Sequence, residues 1–131
     1  MSGRVVHFEI PFDDGDRARG FYKELFGWQV QSMPEMDYTI VMSGPSGDQG
    51  PTEPGYINGG MLSRQQAATS GPVLVVDVDS IDTTLERIGG LGGSTVVGKT
   101  PVGDMGFAAY FTDPEGNVMG LWETAPQGAG G

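Results

Sequence analysis

His7 is the only histidine of the chain, and Glu9 follows two residues later in the β-rich segment Val5 to Ile10. On a strand, that spacing turns both side chains to one face. An imidazole beside a carboxylate can work there as an acid–base pair. The sequence offers no third group to orient them, so the plainer reading is preferred: a polar contact between strands, or an edge position. Other reactive patterns fail on their own terms. The chain has no cysteine, which removes disulfides, thiolate metal sites and thiol catalysis together. No G-x-S-x-G occurs, so a serine nucleophile has no support. The run Gly89-Gly90-Leu91-Gly92-Gly93 closes a helical segment, with no lysine after it at the needed spacing. A phosphate loop would open a helix and carry that lysine. Asp77 and Asp79 alternate along a strand-like segment and read as helix caps or solvent-facing groups.

The elements that would hold these groups come in two rounds. Val5 to Ile10 reads as a strand bounded by Pro11. Asp13, Asp14 and Asp16 offer N-caps to a helix in which Ala18, Phe21, Tyr22, Leu25 and Phe26 form one apolar stripe. Gly27 stops that helix. Strands follow at 28–31, 38–43 and 56–62, with the turn-rich loop 44–55 before the last. The second round has a strand at 73–78, Ser80 as N-cap, and a helix marked by Ile81, Leu85 and Ile88. Strands at 94–97, 107–112 and 118–123 complete it, the last two joined by the turn Asp113-Pro114-Glu115-Gly116. One constant offset carries Phe8 onto Leu74, Ile10 onto Val76, Asp16 onto Asp82, Gly27 onto Gly93 and Val30 onto Val96. The match respects both the strand and the helix period, which marks an internal duplication.

A length of 131 residues suits one domain. We read it as residues 1–124, with modules at about 5–62 and 73–123, and a small, polar, glycine-rich tail at 125–131 expected to be disordered. A net charge of −10, with only 7 Lys and Arg, argues against nucleic acid, whose binding rests on neutralised phosphates. The N-terminus reaches strand-like sequence at once, so neither a signal peptide nor a membrane span is expected. Cytoplasmic location is the expectation.

His7-Phe8-Glu9-Ile10 entering Phe21-Tyr22-Lys23-Glu24-Leu25-Phe26-Gly27-Trp28 resembles the opening of glyoxalase I and bleomycin-resistance-like proteins, and Asp113-Pro114-Glu115-Gly116-Asn117 resembles their closing hairpin. Together with the repeat, nearly the whole chain, from Val5 to Glu123, is similar to the vicinal oxygen chelate superfamily. The resemblance implies an α+β fold of two βαβββ modules forming facing cup-shaped mixed sheets with helices on the outside, often completed by dimerisation. It does not fix function, since the superfamily holds lyases, dioxygenases, epimerases and plain binding proteins.

The metal enzymes of that superfamily place a His, Gln or Glu ligand on the first and last strand of each half. Carried over, these positions fall on His7, on Gly60 or Met61, on Val73 and on Gly120. Only His7 is a useful donor. Glu123 lies three residues beyond Gly120 and would face the other side of a regular strand. A lone imidazole does not hold a catalytic metal. His7 is therefore expected to be a pocket or core histidine and no metal cofactor is expected; the alternative is a divalent metal in a degenerate site of His7 and Glu123.

For the lining of the cup, the resemblance and the strand pattern point to His7, Glu9, Trp28, Tyr56, Phe107 and Trp122. A slip of one residue would reverse every such assignment. An aromatic cup suits a flat or apolar small molecule, and the acidic surface suits a cationic or aromatic one. The expected function is metal-free binding of a small organic ligand. The alternative is a metal-dependent lyase, isomerase or dioxygenase. A homodimer is expected, because exposed sheet edges call for cover.

Overall fold

The structure, a computed structural model, describes residues 3–126; most of the tail expected to be disordered lies outside them. The chain forms two compact units, one from Val6 to Val73 and one from Leu74 onward together with the residues up to Val5. Each holds a βαβββ module.

The first module comprises β1 (Arg4–Phe12), α1 (Gly15–Phe26), β2 (Gln29–Met33), β3 (Tyr38–Met42), β4 (Ser46–Gly47), β5 (Gly50–Pro51) and β6 (Asn58–Ser63). Its sheet runs β2-β3-β6-β1. β6 is parallel to β1 and antiparallel to β3, which is antiparallel to β2. Pro11 does not end β1: it pairs with Leu62, and Phe12 pairs with Ser63. A proline costs a ladder only where its missing N–H would have donated. Within the loop read as pure turn, β4 and β5 form a minimal hairpin.

Asp14 caps α1 by accepting from the Arg17 N–H, and Gly27 closes it at φ 71°, its own N–H on the Lys23 carbonyl. That left-handed backbone is the one glycine adopts without steric cost. The pairing register puts Phe8, Ile10, Thr39, Val41, Gly59 and Met61 on one face. This face looks toward the helix: Arg19 reaches Thr39 Oγ1 at 3.0 Å, and Thr39, Val41 and Met61 are fully buried. His7, Glu9, Tyr38, Ile40 and Gly60 share the opposite face.

The second module comprises β7 (Val73–Asp77), α2 (Ile81–Gly90), β8 (Ser94–Val102), β9 (Gly106–Thr112) and β10 (Val118–Thr124). Its order, β7-β10-β9-β8, with β10 parallel to β7 and antiparallel to β9, repeats the first module strand for strand. The duplication read from the sequence is thus a duplication of topology. β8 extends past the expected 94–97 through two irregularities, between Thr95 and Val97 and between Val97 and Thr100. Bulges of this kind break the two-residue alternation by which strands are read. Ser80 caps α2, and Ile81, Leu85 and Ile88 pack on Val78, Ala109 and Leu121. The closing turn is held by the Asp113 carboxylate, which accepts from the Asn117 side chain and from the N–H groups of Glu115 and Asn117. Those bonds hold its pKa below the usual carboxylate value.

The start of β1 belongs to the second unit: the Gly3 N–H donates to the Asp77 carbonyl at 2.6 Å. Among the described residues, no helix is long and apolar enough to cross a membrane.

Candidate functional site

On the face of the first sheet away from α1, three polar side chains converge. His7 Nε2 lies 2.9 Å from the Tyr38 hydroxyl, which donates to Glu9 Oε2 across a long 3.4 Å. The phenol has one hydrogen. With that hydrogen on Glu9, the His7 Nε2–H donates to the Tyr38 oxygen and Nδ1 keeps the lone pair. Burial pushes the His7 pKa down from 6.5 to about 4, so the ring is neutral near pH 7. The line of groups therefore offers an imidazole acceptor, a phenol and a carboxylate side by side.

Gly60 makes this arrangement possible. It is the register partner of Glu9 on β6, and a Cβ there would run into the Tyr38 ring and hydroxyl. Tyr38 thus occupies the room that a side chain at position 60 would take.

The second module repeats the device. Gly120 is the register partner of Val75 on the first strand of that module and of Tyr110 on β9. A Cβ at Gly120 would lie 3.0 Å from Val75 Cγ2 and 3.3 Å from the Tyr110 ring. In both modules a tyrosine from the strand antiparallel to the last one comes over a glycine on that last strand. Trp122 shares this face, lies against Gly106 and donates from Nε1 to Thr124 Oγ1 at 3.1 Å.

The residues singled out from the sequence separate accordingly. His7 and Glu9 come together, joined by Tyr38, which sequence reasoning left among the general aromatics. Trp28 stands on the helix side, stacked on Tyr22 and packed against Phe8 and Phe26. Tyr56 lies over Gly44 with its hydroxyl on the Pro45 carbonyl, holding the loop before β6. Phe107 packs on the α2 core, with Lys99 Nζ 4.4 Å from its ring centre. Trp122 faces the other way. Glu123 is engaged at the start of α2: it accepts from the Ile81 N–H at 2.8 Å and pairs with Lys99 at 3.3 Å.

A divalent cation finds few donors here. Gly60, Val73 and Gly120 carry no lone pair beyond the backbone, and Met61 is fully buried on the helix side. Among the described residues, no group of three or more His, Cys, Asp or Glu could hold a metal. The residues present do not fit the metal site that the fold family implies.

Paired βαβββ modules of this order and sense are the architecture of the vicinal oxygen chelate superfamily. Residues 4–44 match the family model for the N-terminal part of bleomycin-resistance-protein-like chains. A glyoxylase-like domain-containing protein of Didymella fabae is 31% identical over 125 residues, spanning 92% of this chain and 94% of that one. The probable lactoylglutathione lyase of Vibrio parahaemolyticus is 27% identical, spanning 98% and 96%. A solved Streptomyces coelicolor methylmalonyl-CoA epimerase, in complex with 2-nitronate-propionyl-CoA, superposes with a TM-score of 0.63 at 17% identity, over 95% of this chain and 96% of that one. The chain belongs to the glyoxalase-like family of that superfamily.

Proposed function

We propose that the chain binds a small organic molecule, without a metal, on the face of the first sheet away from α1, through His7, Tyr38 and Glu9. The observation that carries this reading is the 2.9 Å contact between His7 Nε2 and the Tyr38 hydroxyl over the side-chain-free Gly60. A neutral imidazole, a phenol and a carboxylate suit a ligand bearing a hydroxyl or an amine. The carboxylate and the net charge of −10 disfavour an anionic one. The lack of cysteine suits a reducing compartment, and we place the protein in the cytoplasm.

A thermal-shift screen of neutral, cationic and anionic compounds, followed by calorimetry on the hits, tests this. We expect a cationic or neutral hit whose affinity falls about tenfold in Tyr38→Phe, the worth of one hydrogen bond of roughly 1.4 kcal/mol. Stoichiometric retention of nickel, zinc, iron or manganese after dialysis, lost in His7→Ala, would overturn it.

The names of the Vibrio relative and the Streptomyces neighbour favour a second reading, a lyase or isomerase, with Glu9 as base. Exchange of a substrate α-proton in heavy water, abolished by Glu9→Gln, would support that reading over simple binding.

A further inference from the structure

Tyr38 is rooted at a weak point of the first sheet. It is the first residue of β3. On one side it pairs with Met33 of β2, the outermost strand. On the other side the ladder to β6 begins only at Thr39, which pairs with Met61. The phenol nevertheless reaches over Gly60 to meet His7 Nε2 at 2.9 Å. His7 stands on β1, which β6 separates from β3. A long side chain multiplies any swing of its root, so the contact depends on what fixes the backbone just ahead of β3.

That backbone is unusual. Asp37 lies at φ 52° and ψ 46°, and it is the one non-glycine residue with a positive φ among the described residues. Aspartate enters the left-handed region more readily than most residues, because its short polar side chain can be hydrogen-bonded there. Here Asp37 Oδ2 accepts from Gln66 Nε2. Gln66 sits in the turn that leaves β6, its own N–H donating to the Ser63 carbonyl at 2.9 Å. The same turn is tied to the end of β1: the Arg64 N–H donates to the Phe12 carbonyl at 2.8 Å, and its guanidinium pairs with Asp13 at 3.0 Å. Residues 63–66 thus bond to both flanks of β6. One flank is β1, which carries His7 and Glu9; the other is the residue before Tyr38. Asp37 and Gln66 are both exposed, so their bond adds little to global stability. Its effect falls on where and how β3 begins. We infer that the Asp37–Gln66 bond positions Tyr38, holding the left-handed turn before β3 and through it aiming the phenol at His7. The inference rests on the reading of His7, Tyr38 and Glu9 as the binding face, and it makes Asp37 and Gln66 positioning residues that act through Tyr38.

Nitrogen-15 NMR of the imidazole tests this without a ligand, because His7 is the only histidine of the chain. In the native chain near pH 7 the two ring nitrogens should report one tautomer, with hydrogen on Nε2. Tyr38→Phe sets the scale: with the hydroxyl gone, the tautomers mix and the two signals draw together. We expect Asp37→Gly and Gln66→Ala to move the signals in that same direction. Asp37→Gly keeps the left-handed backbone accessible while removing the carboxylate, so its melting should stay close to that of the native chain. Asp37→Asn, which keeps both an acceptor for Gln66 and the tolerance of a positive φ, should leave the signals in place. Signals that move in Tyr38→Phe but stay put in Asp37→Gly and Gln66→Ala would overturn the positioning role alone. So would an Asp37→Asn variant that moves them as far as Asp37→Gly. Signals that stay put in Tyr38→Phe itself would overturn the His7–Tyr38 contact, and the binding reading with it.

Discussion

The two modules share strand order and sense, yet their helices are held differently. α2 turns Ile81, Leu85 and Ile88 into its own core, and its N-terminus is closed by the Glu123 carboxylate on the Ile81 N–H. α1 lays little of its apolar stripe inward: Tyr22 stacks on Trp28, while Phe21, Leu25 and Phe26 all remain more than half exposed. The sheet faces away from the helices differ as well. In the first module the tyrosine over the glycine is joined by His7 and Glu9; in the second, the residues beside Gly120 are Val75 and Tyr110. Duplication has kept the backbone pairing and let the side chains part.

The largest expected test of that contrast is the pair Ile81→Ala and Leu25→Ala. Truncating the fully buried Ile81 should cost roughly 2–5 kcal/mol in urea unfolding. Leu25→Ala, at a residue 57% exposed, should stay within about 0.5 kcal/mol. Equal losses would erase the distinction between the helices. Next comes acid. The unfolded chain protonates His7 near pH 6.5 and the folded chain only near pH 4. Between those values the unfolded state holds more protons, so stability falls as pH drops through that window and is unaffected above it, by roughly 3 kcal/mol at most. His7→Phe should flatten that segment of the pH profile; an unchanged slope would mean that the ring is not buried and neutral. Gly60→Ala should then cost about 1–3 kcal/mol, because the new methyl group displaces Tyr38. The same change at Gly120 should cost less, since its contacts are only slightly close. Combining Gly60→Ala with Tyr38→Ala should recover part of the loss in a double-mutant cycle. Smallest is Glu123→Gln, for which about 1 kcal/mol of destabilisation is expected from the weakened helix cap.

Much of this architecture was legible from local chemistry. Asp14, Gly27 and Ser80 act as the caps their types advertise, and the offset pairing Phe8 with Leu74 reflects a repeated strand. The candidate site was half legible. His7 and Glu9 were found because they are two apart on one strand. Tyr38 comes from a strand that β6 separates from them in the sheet, and no local spacing announces it. Nor could the duplication help, because β8 is longer than β2, so the offset that carries Val30 onto Val96 would carry Tyr38 onto Asp104, between β8 and β9. Trp28 and Phe107 were ambiguous for another reason: each sits at a strand end or just outside one, where a single residue of register decides the face.

The split membership of β1 also bears on how the chain is made. Its first residues belong to the unit completed by β10, and Gly3 waits for the carbonyl of Asp77. On a ribosome this segment emerges before its partner and meets it only after the whole first module has passed. Closing that loop costs entropy that no local contact repays in advance. In pulse-labelled hydrogen exchange, the amide of Gly3 should therefore gain protection among the last, although it is synthesised before the carbonyl it meets.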